Sequence, residues 1–308
     1  MEHSGTVRAL HADQPLGLHV DGREVASYVW RSDLPASTAP RPFLHPVRTL
    51  NGTVVTDARP HSHTHQLGIS IAAPDIGGRN FWGGRTFVAG HGPAWLDDHG
   101  AQRHRRWLRH TETELAHTLH WVDRDGAALL SERRAIACVP LTPDAWTLSV
   151  QTRLANATDR PLPIRSPAAL GRVGAGYGGF FWRGPAVSGQ VRVQSPAGTG
   201  VRAVHGTTAP WLTVSGTSGG DSGSSAGASE VSAEWTILFA PADATTARDR
   251  WFVRARDYLG VGSSLTWDRP LVLEPGEQIE RHILAVVADG NLTEDAAAAL
   301  AEAARPPA

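Results

Sequence analysis

Trp146-Thr147-Leu148-Ser149-Val150-Gln151-Thr152-Arg153-Leu154 decides the fold class. Trp146, Leu148, Val150, Thr152 and Leu154 alternate with Thr147, Ser149, Gln151 and Arg153. Successive side chains of a strand point to opposite faces, so this period of two describes a strand with one face in a core. The run exits through Asn156-Ala157-Thr158-Asp159, a cluster of turn formers. Working outward, 112–122 repeats the pattern, with Leu115, Leu119 and Trp121 set against Glu112, Glu114 and Thr118, and 129–139 is its partner across Asp125-Gly126. Nearer the start, Leu16, Leu18 and Val20 precede Asp21-Gly22, a strong hairpin signal, and 24–30 returns. Arg41-Pro42-Phe43-Leu44-His45-Pro46-Val47 is too rich in proline for a central strand and fits a sheet edge or a wall beside a site. Short strands are expected in 191–204 and 211–214, regular structure resumes at 232–239, and a hairpin is expected around Pro275-Gly276 within 271–287.

Helical signals are few. Ala247, Trp251, Ala255 and Leu259 form one stripe before Gly260, predicting a helix over 244–259, and Thr293 caps a short alanine-rich helix. Many strands at short spacing with one or two short helices describe an all-β chain, a large antiparallel β-sandwich. The 308 residues read as a single domain, 1–308, with 216–229 a flexible Gly/Ser loop.

The formal charge is −1 and every basic residue is arginine, scattered among acids. That excludes the footprint of nucleic acid or an anionic membrane and favours a small partner of little charge. Cys138 is the only cysteine, so neither an internal disulfide nor a cysteine zinc cluster can form. No run approaches the roughly 20 apolar residues of a membrane helix, and no secretory leader is visible, so a cytoplasmic location is expected.

Chemistry concentrates between Arg41 and Arg109. Its centre is His61-Ser62-His63-Thr64-His65-Gln66-Leu67-Gly68-Ile69-Ser70-Ile71. Read as one strand, it puts His61, His63, His65, Leu67, Ile69 and Ile71 on one side, three imidazoles continuing an apolar face and opening into a pocket. Such a row can ligate a divalent metal through His61, His63 and His65, with a carboxylate from Glu112 or Glu114. It can equally supply acid, base and hydrogen-bond donors to an organic ligand, without a cofactor. His61, His65, His99 and His104, with Arg41 and Arg183, are the set for that second role, with His45 beside them. Trp82, Trp95, Trp107 and Trp182 lie in or beside glycine-rich loops, as does Tyr177, where aromatic faces can stack on sugar rings.

The ordered set Arg41–Val47, Asn51-Gly52, His61-x-His63-x-His65-Gln66-Leu67-Gly68, Asn80-Phe81-Trp82-Gly83-Gly84 and Asp98-His99-Gly100 resembles the bacterial proteins grouped as the "methane oxygenase PmoA" family. The resemblance implies a β-sandwich and a place in carbohydrate metabolism. Leu154-Ala155-Asn156-Ala157-Thr158-Asp159-Arg160-Pro161-Leu162 is similar to galactose-mutarotase-like supersandwich proteins. That implies a supersandwich and a catalytic histidine paired with a glutamate, for which Glu234 is a counterpart. Together these readings describe an enzyme acting on a sugar, keto-sugar or glycoside as an epimerase, lyase or hydrolase. His61 and His65 serve as acid and base, Arg41 and His99 hold oxygens, and His45, Trp82, Trp95, His104, Tyr177, Trp182 and Arg183 contact substrate. A non-catalytic carbohydrate-binding protein and a histidine-ligated metal-dependent oxygenase or lyase are the alternatives.

Overall fold

The computed structural model describes residues 14–186, 189–218 and 233–306. Two antiparallel sheets face each other. One has seven strands, in the spatial order Leu16–Val20, Arg23–Val29, Phe43–Val47, Ile69–Ala72, Gly179–Arg183, Gly260–Ser264 and Arg250–Arg254. The other has nine: Gly198–Thr199, Arg192–Ser195, Leu212–Thr217, Glu234–Pro241, Gln278–Asp289, Ala145–Asn156, Ala128–Thr142, Glu114–Val122 and Ala101–His110. The decisive stretch lies inside the Ala145–Asn156 strand, central to the larger sheet and hydrogen-bonded along its length on both sides. Trp146, Leu148, Val150 and Leu154 enter the core between the sheets with Trp121, Trp182, Trp235 and Phe239.

Indoles bury a large apolar area and carry an N–H that favours a partner. Trp146 donates to the Arg48 carbonyl at 2.9 Å, Trp182 to Val55 at 2.9 Å and Trp251 to Ala209 at 2.8 Å. These bonds pin connecting segments onto the core. The helix Glu294–Ala303, capped by the Thr293 hydroxyl, lays Ala297 and Ala301 on the other face of the nine-stranded sheet against Leu238, Ala240 and Val286. That explains the unbroken apolar run in Glu234–Pro241, which is covered on both faces.

At the far edge of the nine-stranded sheet, Ala101–His110 exposes Arg103, Arg105, Arg106 and Arg109 and is broken by two register shifts. Charged side chains and bulges are how proteins blunt a free edge. The polar interior is concentrated behind this strand. Glu132 and Arg134, each 2% exposed, pair at 2.7 Å. The Tyr28 hydroxyl meets His117 Nε2 at 2.8 Å, and His117 Nδ1 meets His104 Nδ1 at 2.9 Å.

Four expectations from sequence differ here. Residues 244–259 do not form a helix: Asp243 accepts from the Thr245 and Thr246 N–H groups, closing one 3₁₀ turn, and Arg250–Arg254 continues as a strand. Trp251-Phe252-Val253 are strong strand formers, and tertiary pairing outweighs the four-residue stripe. The Phe43–Val47 segment is not an edge but lies between two strands, joined to Ile69–Ala72 by the single pair Leu44–Ile69. The strands on either side of Pro275-Gly276 do not pair with each other; Leu271–Leu273 joins Leu162–Arg165, and Gln278–Asp289 joins the large sheet. Within 191–204, Val201–Val204 is a helical turn. Of the Gly/Ser loop, 219–229 lies outside the described residues.

Candidate functional site

Alternation along the seven-stranded sheet creates the candidate site. Ile69, Ile71, Phe180, Trp182, Trp251 and Val253 point between the sheets, so Ala72, Phe181, Arg183, Phe252 and Arg254 point outward. An outward Phe181 and Phe252 need cover, and loops supply it. Trp82, Tyr177, Tyr258 and Trp267 pack over them as a second apolar cluster.

The expected histidine strand is not there. Regular pairing begins only at Ile69; His61 to His65 form two successive turns, closed by His63 N–H to the Pro60 carbonyl and Gln66 N–H to the His63 carbonyl, both at 2.9 Å. Arg59 N–H to the Gln66 carbonyl at 2.8 Å pinches the loop at its base. Three unpartnered imidazoles on a dry sheet face would be costly, and Pro60, Ser62 and Thr64 favour turns. In consequence His61 is exposed and no longer shares a face with His63 and His65, which are half-buried. The His63 ring lies 5.8 Å from His65 and 5.3 Å from Tyr258.

Around them the rings and guanidinium groups converge. Tyr177 meets Trp82 at 4.6 Å and Phe252 at 5.4 Å. The Arg183 guanidinium stacks on Tyr258 at 4.7 Å, donates to Gln66 Oε1 at 2.6 Å and reaches Asp57 at 3.5 Å. Arg254 lies over Phe252 at 4.4 Å, and His205 sits between Phe252 and Trp267 at 5.5 and 5.0 Å. His205 Nδ1 accepts from the Val253 N–H, which places its proton on Nε2, donating to the Gly174 carbonyl at 3.0 Å. Burial lowers the His205, His63 and His65 pKa values. For His65 burial and then the nearby Arg41 push it down to about 3. Burial raises both phenols, Tyr177 and Tyr258, with neighbouring arginines opposing.

A polar scaffold holds this surface. Arg41, 1% exposed, donates to the carbonyls of Thr38, Ala39, Trp82 and His65 and to the Ser70 hydroxyl, at 2.8–3.1 Å. Its donors are engaged in tying three loops to the sheet rather than in holding a ligand. Asn80 Oδ1 accepts from the Trp82 and Gly83 N–H groups at 2.8 Å, its amide donates to Thr86, and the Thr86 hydroxyl donates to Asp98. His99 Nε2, 2.7 Å from the Gly84 carbonyl, fixes the same turn. Gly83 and Gly84 have φ of +96° and +69°, and His65 packs directly on them. The motif residues Asn80, Asp98 and His99 are thus positioning residues for the turn beneath His65.

Other expected residues fall elsewhere. Trp182, 1% exposed, belongs to the inter-sheet core and cannot be a stacking wall; Trp82, 6% exposed, lies beneath Tyr177 rather than at the surface. Trp95 is 63% exposed on another hairpin arm, with Arg85 over its ring at 5.9 Å. His104 belongs to the Tyr28–His117 network with Trp30 and Trp107. His45 bonds Thr56 at 3.0 Å on the flank. Glu234 starts a strand of the other sheet and Glu114 pairs with Arg109, so neither faces the histidines. Among the described residues no three His, Cys, Asp or Glu side chains gather as a metal site, and His61, His63 and His65 do not form one. Two cavities of about 10 Å³ each lie between the sheets, and neither is lined by the histidines or by an indole. Sequence reasoning missed Tyr258, Arg254, His205, Arg172 and Trp267; the helical stripe assigned to 244–259 hid the first two.

No functionally curated protein matches the sequence. In fold the chain is similar to a putative aldose 1-epimerase of Escherichia coli K12, at 12% identity and TM-score 0.43, covering 90% of this chain and 99% of that one. It is similar also to the Slr1438 protein of Synechocystis sp. PCC 6803, at 13% identity and TM-score 0.43, covering 90% and 96%. A GalM/aldose epimerase homologue from C. elegans matches at 9% identity and TM-score 0.37, covering 91% and 100%. A family model described only as a family of unknown function, with no methane-oxygenase name, matches residues 16–302, and the chain belongs to that family, DUF6807.

Proposed function

We propose that the protein acts on a carbohydrate at the outer face of the seven-stranded sheet, by proton transfer at or beside a carbonyl or anomeric centre. The observation that carries this is the convergence of half-buried His63, His65, Tyr177, His205, Arg254, Tyr258 and Trp267, from several loops and a strand end, over one apolar floor. Aromatic faces take the C–H face of a sugar ring, and the polar groups between them bond its oxygens. His63 is the proton-transferring group: burial keeps it neutral at pH 7, and its ring is accessible beside Tyr258. Tyr258 stays protonated and donates to a ligand oxygen. His65, held near 3, is too weak a base and serves as a neutral hydrogen-bonding partner.

A second reading, a carbohydrate-binding protein without turnover, is favoured by the engagement of Asp57 with Arg183, which takes up a carboxylate beside the histidines. Tryptophan fluorescence titration against neutral and acidic hexoses, keto-sugars and glycosides, coupled to product analysis, separates the two. For the enzyme, His63→Ala removes turnover and Tyr258→Phe lowers kcat about 100-fold, with Tm unchanged in both. Quenching without product supports the binder; no quenching by any sugar overturns both.

A further inference from the structure

Three arginines face the two phenols of this site. Arg183 stacks on Tyr258, Arg254 lies against Phe252 beside Tyr177, and Arg172 lies beside the Tyr177 hydroxyl. Acids do not balance them. Arg183 has Asp57 at 3.5 Å, a long contact, while Arg172 and Arg254 pair with no carboxylate among the described residues. Asp257, on the surface, is the other acid near His63.

Their donors are also incompletely used. Arg254 spends Nη1 on the Val253 carbonyl at 2.9 Å and against the His205 ring at 3.4–3.5 Å, and Nη2 on the Gly174 carbonyl at 3.2 Å; its Nε–H bonds to no described group. Arg183 Nε is buried without a partner. A half-buried guanidinium held by carbonyl oxygens is fixed in place yet keeps its whole charge, and its free edge matches the planar fork of an oxyanion. Elsewhere on the molecule, Arg134 and Arg281, carried inward, are paired with Glu132 and Asp249.

We propose that the sugar bound here carries an anionic group, a carboxylate or a phosphate, received by Arg254 and Arg172 at the Tyr177 side of the face. This rests on the proposed function and narrows its substrate class from sugars in general to acidic ones. The neutral ring lies over the aromatic floor with its reacting carbon toward His63, and the anion anchors the opposite end.

The test is a binding comparison by tryptophan fluorescence or calorimetry. Probes are glucose, galactose and mannose with their uronates, the methyl ester of glucuronate, and glucose 6-phosphate. The uronates, or the phosphate, bind about tenfold or more tightly than their neutral partners, the ester binds like glucose, and the difference shrinks as salt is raised. Arg254→Gln and Arg172→Gln each reduce the preference for the anionic form over its neutral partner, and Arg106→Gln, on the far edge strand, leaves it intact. A carboxylate preference identifies an acidic sugar and a phosphate preference a sugar phosphate; either supports the inference. Equal affinity for neutral and anionic forms overturns it and leaves the proposed function standing. A preference that survives Arg254→Gln and Arg172→Gln overturns the assignment to these residues, and absence of binding by every probe overturns both proposals.

Discussion

Glu132 shows how much a single side chain carries here. Its two oxygens accept from Arg134 Nε and Nη2, Trp121 Nε1 and the Thr152 hydroxyl, all at 2.7–2.8 Å, with no water needed to satisfy them. A buried carboxylate is tolerated only when paired and fully bonded, and removing one partner leaves the other charge stranded. Glu132→Gln therefore destabilises the fold by about 3–5 kcal/mol, read as a lower urea midpoint with an unchanged slope. Nothing in Ser131-Glu132-Arg133-Arg134 announces this, since such a run reads as a solvated stretch. Only the pairing of Ala128–Thr142 with its neighbours determines that Glu132 and Arg134 are the pair turned inward. The same limitation applies to Arg41, which the sequence offered as a ligand group and the structure commits to carbonyl oxygens.

Among the elements, the strands were the legible part and the turns were not. Alternation marks Ala145–Asn156, Glu114–Val122 and the first hairpin because one face of each must be apolar. It failed at His61-Ser62-His63-Thr64-His65, where every second residue is histidine and the pattern of a strand is met without the apolar content that holds one. The turn Trp82-Gly83-Gly84 is the element that positions His65. At Gly84 a side chain would meet two costs, a φ of +69° and a Cβ 2.7 Å from His65 Nδ1. Gly84→Ala displaces the imidazole and, under the proposed function, weakens sugar binding several-fold, and near-UV circular dichroism reports the altered packing of Trp82. A wild-type affinity in that variant would separate His65 from the ligand.

For the whole molecule the apolar pattern specified two sheets, while the site depended on loops meeting across long stretches of chain. His63, Tyr177, His205 and Tyr258 share no local spacing, so no window of sequence could join them. Their common environment has a consequence for acid stability. Burial lowers the pKa of His45, His63, His65, His104, His117, His205 and His282 in the folded chain, whereas the unfolded chain takes up protons near 6.5. Stability is thus full above about 6.5 and falls as pH drops below it, continuing toward 3 for His65. Asp249, raised to about 6 mainly by burial, acts in the opposite sense, since its folded form binds a proton first, but it is one group against seven. Chemical unfolding at pH 7.5, 6 and 5 should give a declining midpoint; a flat profile would mean that the histidines titrate as freely in the native state as in the denatured one. The arginine-lined strand Ala101–His110 has a further effect at this scale. A second molecule approaching along that border would bring like charges together, a repulsion that disfavours continuing the larger sheet from one copy to the next.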